Sequence, residues 1–600
     1  MSVHTQCLII PSLYRDSVVL MQLSRTLESQ PHIHQAAVMM GTPQNRDLLR
    51  EAGLLTPEGE VSGANDLLIC VQADTPETAD AALQHARDLC MQHQVYRDEA
   101  SETAPRTLAT ALRRMPDANL ACISVPGPYV YREARRALEQ GLHVFLFSDH
   151  VDLDVELELK HLASEHGLLV MGPDCGTAMI RGTPLGFANQ WHSGPVGLIA
   201  ASGTGLQQVS CVLAHEGIGI SHAIGVGGRD LHRDLGGHSM RAALQALAHD
   251  TDTRVIVLIS KPPDPEVAGI LAQEASWSKK PCVLAFIGDD QPRPNMPGLH
   301  RATTLEAAAL AAAALVRGET PVPRMEPLPP HLIAVAQTAR QSLQPTQRLV
   351  HGLYCGGTLA AESLWLLRHA LEPVDTNLDG SFNAAHHHAV LDLGAEEFTS
   401  GRPHPMIDPT LRRQHLLHLA EQSDIAVVLC DVILGWGAHE APGVALAAAW
   451  QEMRERLRQF GRQVIGIATV CGVPHDPQDY TLQCRVLEAH GLILADSNAQ
   501  AARLAAHIVG APTDPTTDPT TWNDAEQSAS QPDAPQEAPS MPEMPSQLPA
   551  LFREGPRVIN LGLESFATQL RTCGTPVLHV DWQPPASGNA HLASLLERLK

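Results

Sequence analysis

Short apolar runs alternate with stretches of helix-like apolar spacing over most of the chain. Between residues 117 and 318, runs at 118–125, 143–148, 168–171, 196–201, 254–260 and 281–288 predict buried strands. The same rhythm of strand and helix returns between residues 347 and 508. Strands and helices that alternate through short loops indicate βα units and parallel sheets, so the later set predicts a repeat of the earlier one.

The two ends of the chain break this rhythm. Residues 7–13, 34–40 and 65–72 predict strands with helices between them, which is typical of a small α+β layer. Residues 511–548 are rich in Pro, Thr, Asp, Ser and Gln, a composition that predicts a disordered linker. Two last strands, near 557–562 and 575–582, are too few to bury a core alone, so we expect this segment to dock on another surface.

Composition and charge narrow the class of protein. The 600 residues carry a formal net charge of −24, whereas a nucleic-acid binder shows basic stripes. No run approaches the ~18–20 apolar residues of a membrane span, and the start lacks the features of a signal peptide. The twelve cysteines are scattered without a Cys-x-x-Cys pair, which favours a reducing compartment. We expect a cytoplasmic protein that binds neither nucleic acid nor membrane.

Two turns between a predicted strand and a predicted helix are built from small residues. The backbone N–H groups that begin a helix lack helical partners and lie at the positive end of its dipole. Small residues leave room in front of these groups for a phosphate or a carboxylate. In both turns the alternative interpretation is a plain helix cap. The turns contain Ser202, Gly203 and Thr204 in the earlier repeat, and Gly356, Gly357 and Thr358 in the later one.

Further candidates for phosphate or substrate binding follow other predicted strands, because ligands of open α/β sheets bind at the carboxyl ends of strands. One turn combines two glycines with a cation, although a βα turn that needs positive φ gives the same pattern. Lys261 begins the turn after the strand 254–260. The remaining candidates are Gly227, Gly228 and Arg229 in the earlier repeat, and Gly435, Gly437, Asp476 and Gln478 in the later one.

The segment 401–408 is the strongest candidate for chemistry in the C-terminal half. Two prolines stiffen it and fix the directions of Arg402, His404 and Asp408. Arg can bind a carboxylate through two hydrogen bonds, and His can transfer protons near neutral pH. The alternative is a rigid loop that packs domains together. We predict no metal site, since the three histidines at 386–388 alternate in direction along a strand.

Several motifs within residues 117–508 resemble the succinyl-CoA synthetase superfamily. Gly-Pro-Asp-Cys-Gly at 172–176 resembles the turn that ends the CoA-binding domain of the α subunit. The motifs at 202–204 and 225–230 resemble turns of the α ligase domain, and 424–478 resembles the ligase domain on the β side. The resemblance implies two flavodoxin-like ligase domains in one chain.

With this resemblance, we expect a multidomain α/β protein. The predicted divisions are an N-terminal α+β domain (1–104), a truncated Rossmann-like, CoA-binding-like domain (105–190), ligase-like domain 1 (191–320), ligase-like domain 2 (345–510), the linker (511–548) and a C-terminal docking segment (549–600).

The whole chain resembles the FdrA family through the motifs at 38–43, 171–177, 260–263, 401–408 and 476–478. That family carries an acyl-CoA-synthetase-like label and includes a subunit of the oxamate carbamoyltransferase of anaerobic allantoin degradation. The resemblance implies conversion of oxalurate and phosphate to oxamate and carbamoyl phosphate. It also implies an oligomer with two companion proteins encoded nearby, and residues 558–588 resemble the N-terminal segment of the larger one.

Three departures from the synthetase pattern bear on the reaction. No Gly-x-Gly-x-x-Gly follows a strand before Asp117, so the seat for the CoA phosphates is missing. The phosphorylated histidine of the synthetase would correspond to His300, which lacks the small-residue frame. The glutamate that orients that histidine would correspond to Lys261.

We therefore expect a carbamoyltransferase subunit that needs no cofactor, with Arg402, His404 and Asp408 as catalytic residues. The small-residue turns would bind phosphate or carbamoyl phosphate. One alternative is a succinyl-CoA ligase-like acyl-CoA synthetase, which would require CoA or ATP. The other is a non-catalytic scaffold that assembles the companion proteins.

Overall fold

Four β-sheets organise the chain in the computed structural model. The structure describes residues 3–11, 13, 17–28, 30–64, 66–98, 104–289, 296–321, 327–371, 373–379, 386–399, 404–511 and 548–584. Arg402, the linker predicted at 511–548 beyond its first and last residues, and the final residues of the chain lie outside these ranges. Among the described helices, none combines the length and the apolar character that a membrane crossing requires.

The N-terminal domain is a three-stranded antiparallel sheet in the order β1-β3-β2, with helices α1 and α4 packed on its apolar face. Cys7 and Cys70 lie opposite each other on β1 and β3 and form a disulfide. Sequence spacing did not predict this bond, because strand pairing brings together residues 63 positions apart. The elements are β1 (His4–Ile10), α1 (Ser17–Glu28), β2 (Ile33–Met40), α2 (Pro43–Glu51), α3 (Pro57–Glu60), β3 (Leu67–Ala73) and α4 (Pro76–Asp98).

The Rossmann-like domain follows, and three of its strands come from the chain after the N-terminal domain. Strands β4, β5 and β6 are short, parallel and fully buried, and helices α6 and α7 cover them. The elements are α5 (Leu108–Arg114), β4 (Leu120–Ile123), α6 (Val130–Glu139), β5 (His143–Leu146), α7 (Leu153–His166) and β6 (Val170–Met171).

Ligase-like domain 1 contains a seven-stranded sheet in the order β13-β12-β11-β9-β10-β7-β8. Five of these strands are parallel, and the β7–β8 hairpin extends the sheet in antiparallel fashion. The elements are β7 (Thr177–Ile180), β8 (Thr183–Gly186), β9 (Ser193–Ala200), α8 (Gly203–His215), β10 (Ile220–Gly225), α9 (His238–His249), β11 (Val255–Ser260), α10 (Pro265–Trp277), β12 (Cys282–Phe286), β13 (Leu299–Arg301) and α11 (Leu305–Arg317).

Ligase-like domain 2 contains a six-stranded parallel sheet in the order β15-β16-β14-β17-β18-β19. Its strands β16-β14-β17-β18-β19 repeat the parallel order β10-β9-β11-β12-β13 of ligase-like domain 1, and β15 is added at the edge. All nine residues of its central strand β17 are buried, as expected of a strand covered on both faces. The elements are α12 (Pro330–Gln341), β14 (Leu349–Tyr354), α13 (Gly357–Ala370), β15 (Val374–Thr376), β16 (His388–Asp392), α14 (Glu396–Thr399), α15 (Thr410–Leu419), β17 (Ile425–Ile433), α16 (Pro442–Gln459), β18 (Ile465–Cys471), α17 (Tyr480–Ala489), β19 (Ile493–Ala495) and α18 (Asn498–Val509).

The C-terminal segment docks on the Rossmann-like domain and completes its sheet. Strand β20 pairs in parallel with β4 and with β21, which gives the order β21-β20-β4-β5-β6. Ile559 and Leu561 of β20 are fully buried in the same core as Ile123. The expected truncation of this domain is therefore corrected: the missing strands come from the far end of the chain. The elements are α19 (Leu548–Glu554), β20 (Val558–Leu561), α20 (Glu564–Thr572) and β21 (Val577–Val580).

Candidate anion site between the two ligase-like domains

Helices α8 and α13 begin against each other where the two ligase-like domains meet. The hydroxyl oxygens of Ser202 and Thr358 lie 2.5 Å apart, so a hydrogen bond joins the two starts. A Cβ at Gly356 would come within 2.9 Å of the Thr204 side chain. A Cβ at Gly205 would lie 2.6 Å from Ser202 Oγ. The glycines are therefore required by close packing, and the two small-residue turns form one site.

The start of α8 is capped and partly open to solvent. Ser202 is the N-cap, and its Oγ accepts a hydrogen bond from the backbone N–H of Gly205 at 2.8 Å. Ser202, Gly203 and Thr204 are all half-buried rather than buried. The capping interpretation is therefore correct for the Ser202 side chain, while the first N–H groups of the helix still face an accessible cleft at the positive end of the dipole.

The start of α13 is occupied by a carboxylate of the protein itself. Asp431, fully buried on β17, accepts hydrogen bonds from the backbone N–H groups of Cys355 and Gly356 at 2.8 and 2.7 Å. Arg412 donates to Asp431 Oδ1 at 2.8 Å and also contacts the Cys355 thiol. The buried carboxylate is thus paired with a buried cation, as such a charge requires.

Lys261 and Asp392 approach the first residue of α13 from opposite domains. A Cβ at Gly357 would lie 2.4 Å from Asp392 Oδ2 and 2.9 Å from Lys261 Nζ. Asp392 ends strand β16, and its Oδ1 accepts a hydrogen bond from the N–H of Gly394 at 2.9 Å. Burial raises the pKa of the Asp392 carboxyl to about 6, and the nearby Lys261 ammonium opposes that shift.

A second acid interacts with Lys261. Asp174, in the turn after β6, reaches solvent, and the Lys261 charge lowers its pKa. Desolvation, and then the charge of Asp149, raise the pKa of Asp174 to about 6, whereas Lys261 and Arg229 lower it. Lys261 therefore interacts electrostatically with two carboxyl groups, those of Asp392 and Asp174, whose pKa values are raised to about 6.

The turn 227–230 holds the Rossmann-like domain against ligase-like domain 1. A Cβ at Gly227 would lie 2.3 Å from the carbonyl oxygen of Pro173, and its φ of +87° favours glycine. Arg229 donates to the Glu156 carboxylate and to the carbonyl of Val151 at 2.7 Å. The Arg229 guanidinium is thus bound to residues of the Rossmann-like domain. Gly228 lies beside Asp174: a Cβ at Gly228 would be 3.8 Å from Asp174 Oδ2.

The candidates at 435–437 and 476–478 join the two ligase-like domains. Asp476 accepts hydrogen bonds from the side chain of Asn189 at 2.7 Å and from the N–H of Gln190 at 2.8 Å. Gln478 exchanges hydrogen bonds with both backbone groups of Gly435. The Cβ positions at Gly435 and Gly437 are taken by residues 187–189. The structure places these four residues in an inter-domain contact rather than in the cleft.

His404 and Asp408 stabilise the turn before α15. His404 Nδ1 accepts a hydrogen bond from the N–H of Met406 at 3.2 Å, and Asp408 Oδ1 accepts one from the N–H of Thr410 at 2.9 Å. Burial, and then the Arg412 charge, lower the pKa of His404 to about 4. The imidazole is therefore neutral at pH 7, and its Nε2 packs against Gly394. Arg402, their predicted partner, lies outside the described residues.

His300 lies away from the cleft. It sits within the edge strand β13, where it pairs with Val283, which in turn aligns with Val257 and Leu198 across the sheet. Leu198 precedes Ser202 by four residues, or roughly 13 Å of strand, and β13 is three strand spacings of ~4.8 Å from β9. The sheet therefore separates His300 from the start of α8.

Sequence reasoning missed two acids and one cation of ligase-like domain 2, namely Asp392, Asp431 and Arg412. Asp392 and Asp431 both lie at or near the carboxyl ends of buried strands. An acid that follows an uninterrupted apolar run was the available signal, since it must find a partner when buried. The identity of the partners, helix-start N–H groups contributed by a different strand, was not readable from spacing.

The fold family implies CoA, and the Rossmann-like turn does not fit its pyrophosphate. Helix α20 begins after β20 with Glu564 in its first turn, which opposes a bound anion at that end of the dipole. Leu563 and Phe566 are buried in the core next to it. A Cβ at Gly562 would lie 2.5 Å from Ser124 Oγ, so the space in front of this glycine is filled.

Comparison with known proteins agrees with the doubled ligase architecture. A family model described as CoA-ligase matches residues 353–508, and one described as the heavy metal-associated domain of AllF matches residues 1–106. The α subunit of the ADP-forming succinate–CoA ligase of Staphylococcus epidermidis (strain ATCC 12228 / FDA PCI 1200) is 27% identical over 180 residues. That match covers 28% of this chain and 56% of the relative, about half its length.

Solved structures to which the chain is similar include a dinucleotide-forming acetyl-coenzyme A synthetase of Ca. Korarchaeum cryptofilum, at 15% identity and a TM-score of 0.23. The match covers 65% of this chain and 82% of that one. The ATP citrate lyase of Methanothrix soehngenii in complex with citrate and coenzyme A matches at 18% identity and a TM-score of 0.28. It covers 36% of this chain and 37% of that one.

These features define a CoA-ligase-like protein with an AllF-type N-terminal domain. YahF, an uncharacterized protein of Escherichia coli (strain K12), is 37% identical over 506 residues, which cover 83% of this chain and 97% of the relative. The chain belongs to the family of YahF.

The expectation of a transferase is corrected by these findings. The matching model is a CoA-ligase model, and the Staphylococcus relatives are named as α subunits of a succinate–CoA ligase, so the relatives with an assigned activity are ligases rather than transferases. The expectation of a transferase follows from the FdrA resemblance, because the histidine frame and the glycine loop of the synthetase are altered in this chain.

Proposed function

We propose that this chain is the phosphate-handling component of a ligase-type reaction. Its cleft binds inorganic phosphate or the phosphoryl end of an acyl phosphate, the activated form through which a carboxylic acid enters ligase chemistry. The observation that carries the proposal is the contact between Ser202 and Thr358. That contact places the open start of α8, the first residue of α13 and Lys261 around one space.

Each group has a defined task in this function. The first N–H groups of α8 supply donors and a partial positive charge that require no reorganisation when an anion arrives. Lys261 supplies a full positive charge, and no contact ion pair of its ammonium is present among the described residues, so its charge is available. Asp476 joins ligase-like domain 2 to Asn189 and Gln190 across the domain contact, and Gln478 stabilises the turn at Gly435.

We further propose that the chain is an FdrA-type protein that acts in purine or allantoin breakdown. The AllF-type domain at residues 1–106 supports this setting. In the proposed assembly, two companion proteins contribute what the cleft lacks, including nucleotide handling. Copurification of the full chain with proteins encoded beside it tests the assembly, and recovery of the chain alone from cells that express all three contradicts it.

The experiment that tests the site is titration of the full chain with inorganic phosphate in a calorimeter. Lys261→Met removes the charge and keeps the length of the side chain, so we expect phosphate affinity to fall about tenfold, equivalent to ~1.4 kcal/mol. Arg233→Met is the control, because it removes an exposed cation of the same domain that pairs with Glu266. An unchanged affinity in Lys261→Met would remove the cleft from phosphate binding.

A further inference from the structure

Asp392 brings a carboxylate oxygen into the space that the proposed function assigns to an anion. The side chain is 5% exposed, and its Oδ1 is satisfied by the N–H of Gly394. Its Oδ2 accepts no hydrogen bond from any described residue. This oxygen lies against Gly357, 2.4 Å from the position that a Cβ of that residue would take. This oxygen is not among the fully buried atoms that lack a partner, so it can accept a hydrogen bond from a ligand that enters the cleft.

The charged groups around Asp392 leave this oxygen without an ion-pair partner among the described residues. Lys261 comes from the turn after β11 and lowers the pKa of Asp392, but it makes no ion pair with the carboxylate within 4 Å. Asp431 on β17 and Glu397 on α14 face Asp392 as like charges and raise its pKa. An anion that enters the cleft therefore meets a carboxyl group that repels it unless a proton lies between them.

We propose that Asp392 makes the cleft selective for phosphate over sulfate, by accepting a hydrogen bond from a protonated oxygen of the ligand. The proposal rests on the anion site of the proposed function and names its specificity-determining residue. No covalent bond forms or breaks: the proton of the ligand P–O–H group is shared with Asp392 Oδ2. Lys261 and the helix-start N–H groups bind the other oxygens.

Sulfate and phosphate have the same shape and differ in this proton. Inorganic phosphate retains at least one proton across the physiological pH range, whereas sulfate retains none. Sulfate can therefore bind well only when Asp392 itself is protonated and donates the hydrogen bond. Because one proton is linked to that binding, sulfate affinity falls up to tenfold for each pH unit above the pKa of Asp392.

The test compares the two anions on the full chain at constant ionic strength, by calorimetry from about pH 5.5 to 8.5, a range that spans the titration of Asp392. We expect the preference for phosphate over sulfate to grow by at least tenfold across this range. The ratio of the two affinities cancels pH effects common to both ligands, such as the titration of Asp174. A ratio that does not change with pH overturns the proposal.

Asp392→Asn provides the second arm. The amide keeps the shape and an acceptor for Gly394 and can donate to either anion, so we expect the phosphate preference to fall to within about threefold at every pH, a residual difference below ~1 kcal/mol. Asp264→Asn, which changes the half-buried N-cap of α10 that accepts two N–H bonds, is the control and keeps the pH-dependent ratio. A full preference in Asp392→Asn overturns the assignment to Asp392.

The failure of the two proposals is distinguishable. If phosphate and sulfate bind equally well in the native chain, the anion site stands and the selectivity role of Asp392 falls. If neither anion binds at millimolar concentration, the anion site and the selectivity fall together.

Discussion

Helices α8 and α13 begin with almost the same sequence pattern, but the backbone N–H groups at their starts have different partners. At α8 the cap is the neutral hydroxyl of Ser202, and the helix start opens to the cleft. At α13 the entry N–H groups are bound by buried Asp431, and Asp392 lies beside the first residue. A small-residue turn therefore leaves the backbone N–H groups of a helix start accessible. Residues on the neighbouring strands determine whether a carboxylate of the protein occupies those groups or leaves them open to a ligand.

The strongest way to break this comparison is to remove the internal anion of α13. Asp431→Ala leaves two backbone N–H groups unsatisfied and Arg412 as a buried unpaired charge. We expect the free energy of unfolding of ligase-like domain 2 to fall by about 3–5 kcal/mol, as for other broken buried ion pairs. Urea denaturation followed by Trp fluorescence measures it, since Trp450 is buried in this domain.

The control for that change is Asp479→Ala, which removes an exposed carboxylate that caps α17 through the N–H of Leu482. We expect a loss of only about 1 kcal/mol there. Equal losses in the two variants would mean that Asp431 acts as an ordinary cap rather than as the neutralised internal ligand of α13.

A second prediction concerns the pH dependence of stability in the domain that contains α13. The pKa of His404 is about 4 in the folded chain, below the ordinary value near 6.5, so the unfolded chain binds more protons between these pH values. Stability therefore rises as pH increases from about 4 to 6.5 and is flat above that range. The His404 contribution to this rise is about 3 kcal/mol.

His404→Gln removes that contribution, so we expect a shallower acid slope in the unfolding free energy. His351 and His222, whose pKa values burial also lowers to about 4, keep part of the slope in the variant. His166→Gln, at the C-terminal end of α7, is the control for loss of an imidazole. A slope identical to that of the native chain would show that protonation of His404 does not limit acid stability.

The smallest expected effect comes from adding a methyl group at each of the two helix starts. A Cβ at Gly357 would approach Asp392 and Lys261 within 3 Å, whereas the nearest atom to a Cβ at Gly203 would be Thr177 Oγ1, at 3.2 Å. We expect Gly357→Ala to weaken phosphate binding about tenfold, or ~1.4 kcal/mol, and Gly203→Ala by less than about threefold. Calorimetric titration of both variants measures the difference. The reverse order would place the ligand on the α8 side alone.

Much of the architecture could be predicted from the sequence, because apolar runs followed by amphipathic stretches specify parallel βα units. The repeat of the two ligase-like domains and the position of small-residue turns at strand ends followed from that pattern, whereas the contact between the two turns did not. The roles of Asp476 and Gln478 did not follow, because a polar turn that binds a ligand and one that binds a neighbouring domain have the same composition.

The completed Rossmann-like sheet could not be predicted for a different reason. Local patterns identify β4 and β20 as buried strands, but pairing between them depends on which surfaces remain unpaired after the rest of the chain has folded. Asp392 was missed likewise, because its importance comes from Gly357 and Lys261, which are distant in sequence and belong to different strand ends.

The late arrival of β20 has a consequence for biosynthesis. Ser124, just after β4, and Leu561 of β20 are hydrogen-bonded partners that stand 437 positions apart. A ribosome that adds ~5–20 residues per second needs roughly 20–90 s to pass from one to the other. Throughout that interval the nascent chain carries an unfinished sheet with an apolar edge, a surface that chaperones recognise. Completion of the Rossmann-like domain therefore waits for the synthesis of β20, while both ligase-like domains can form beforehand.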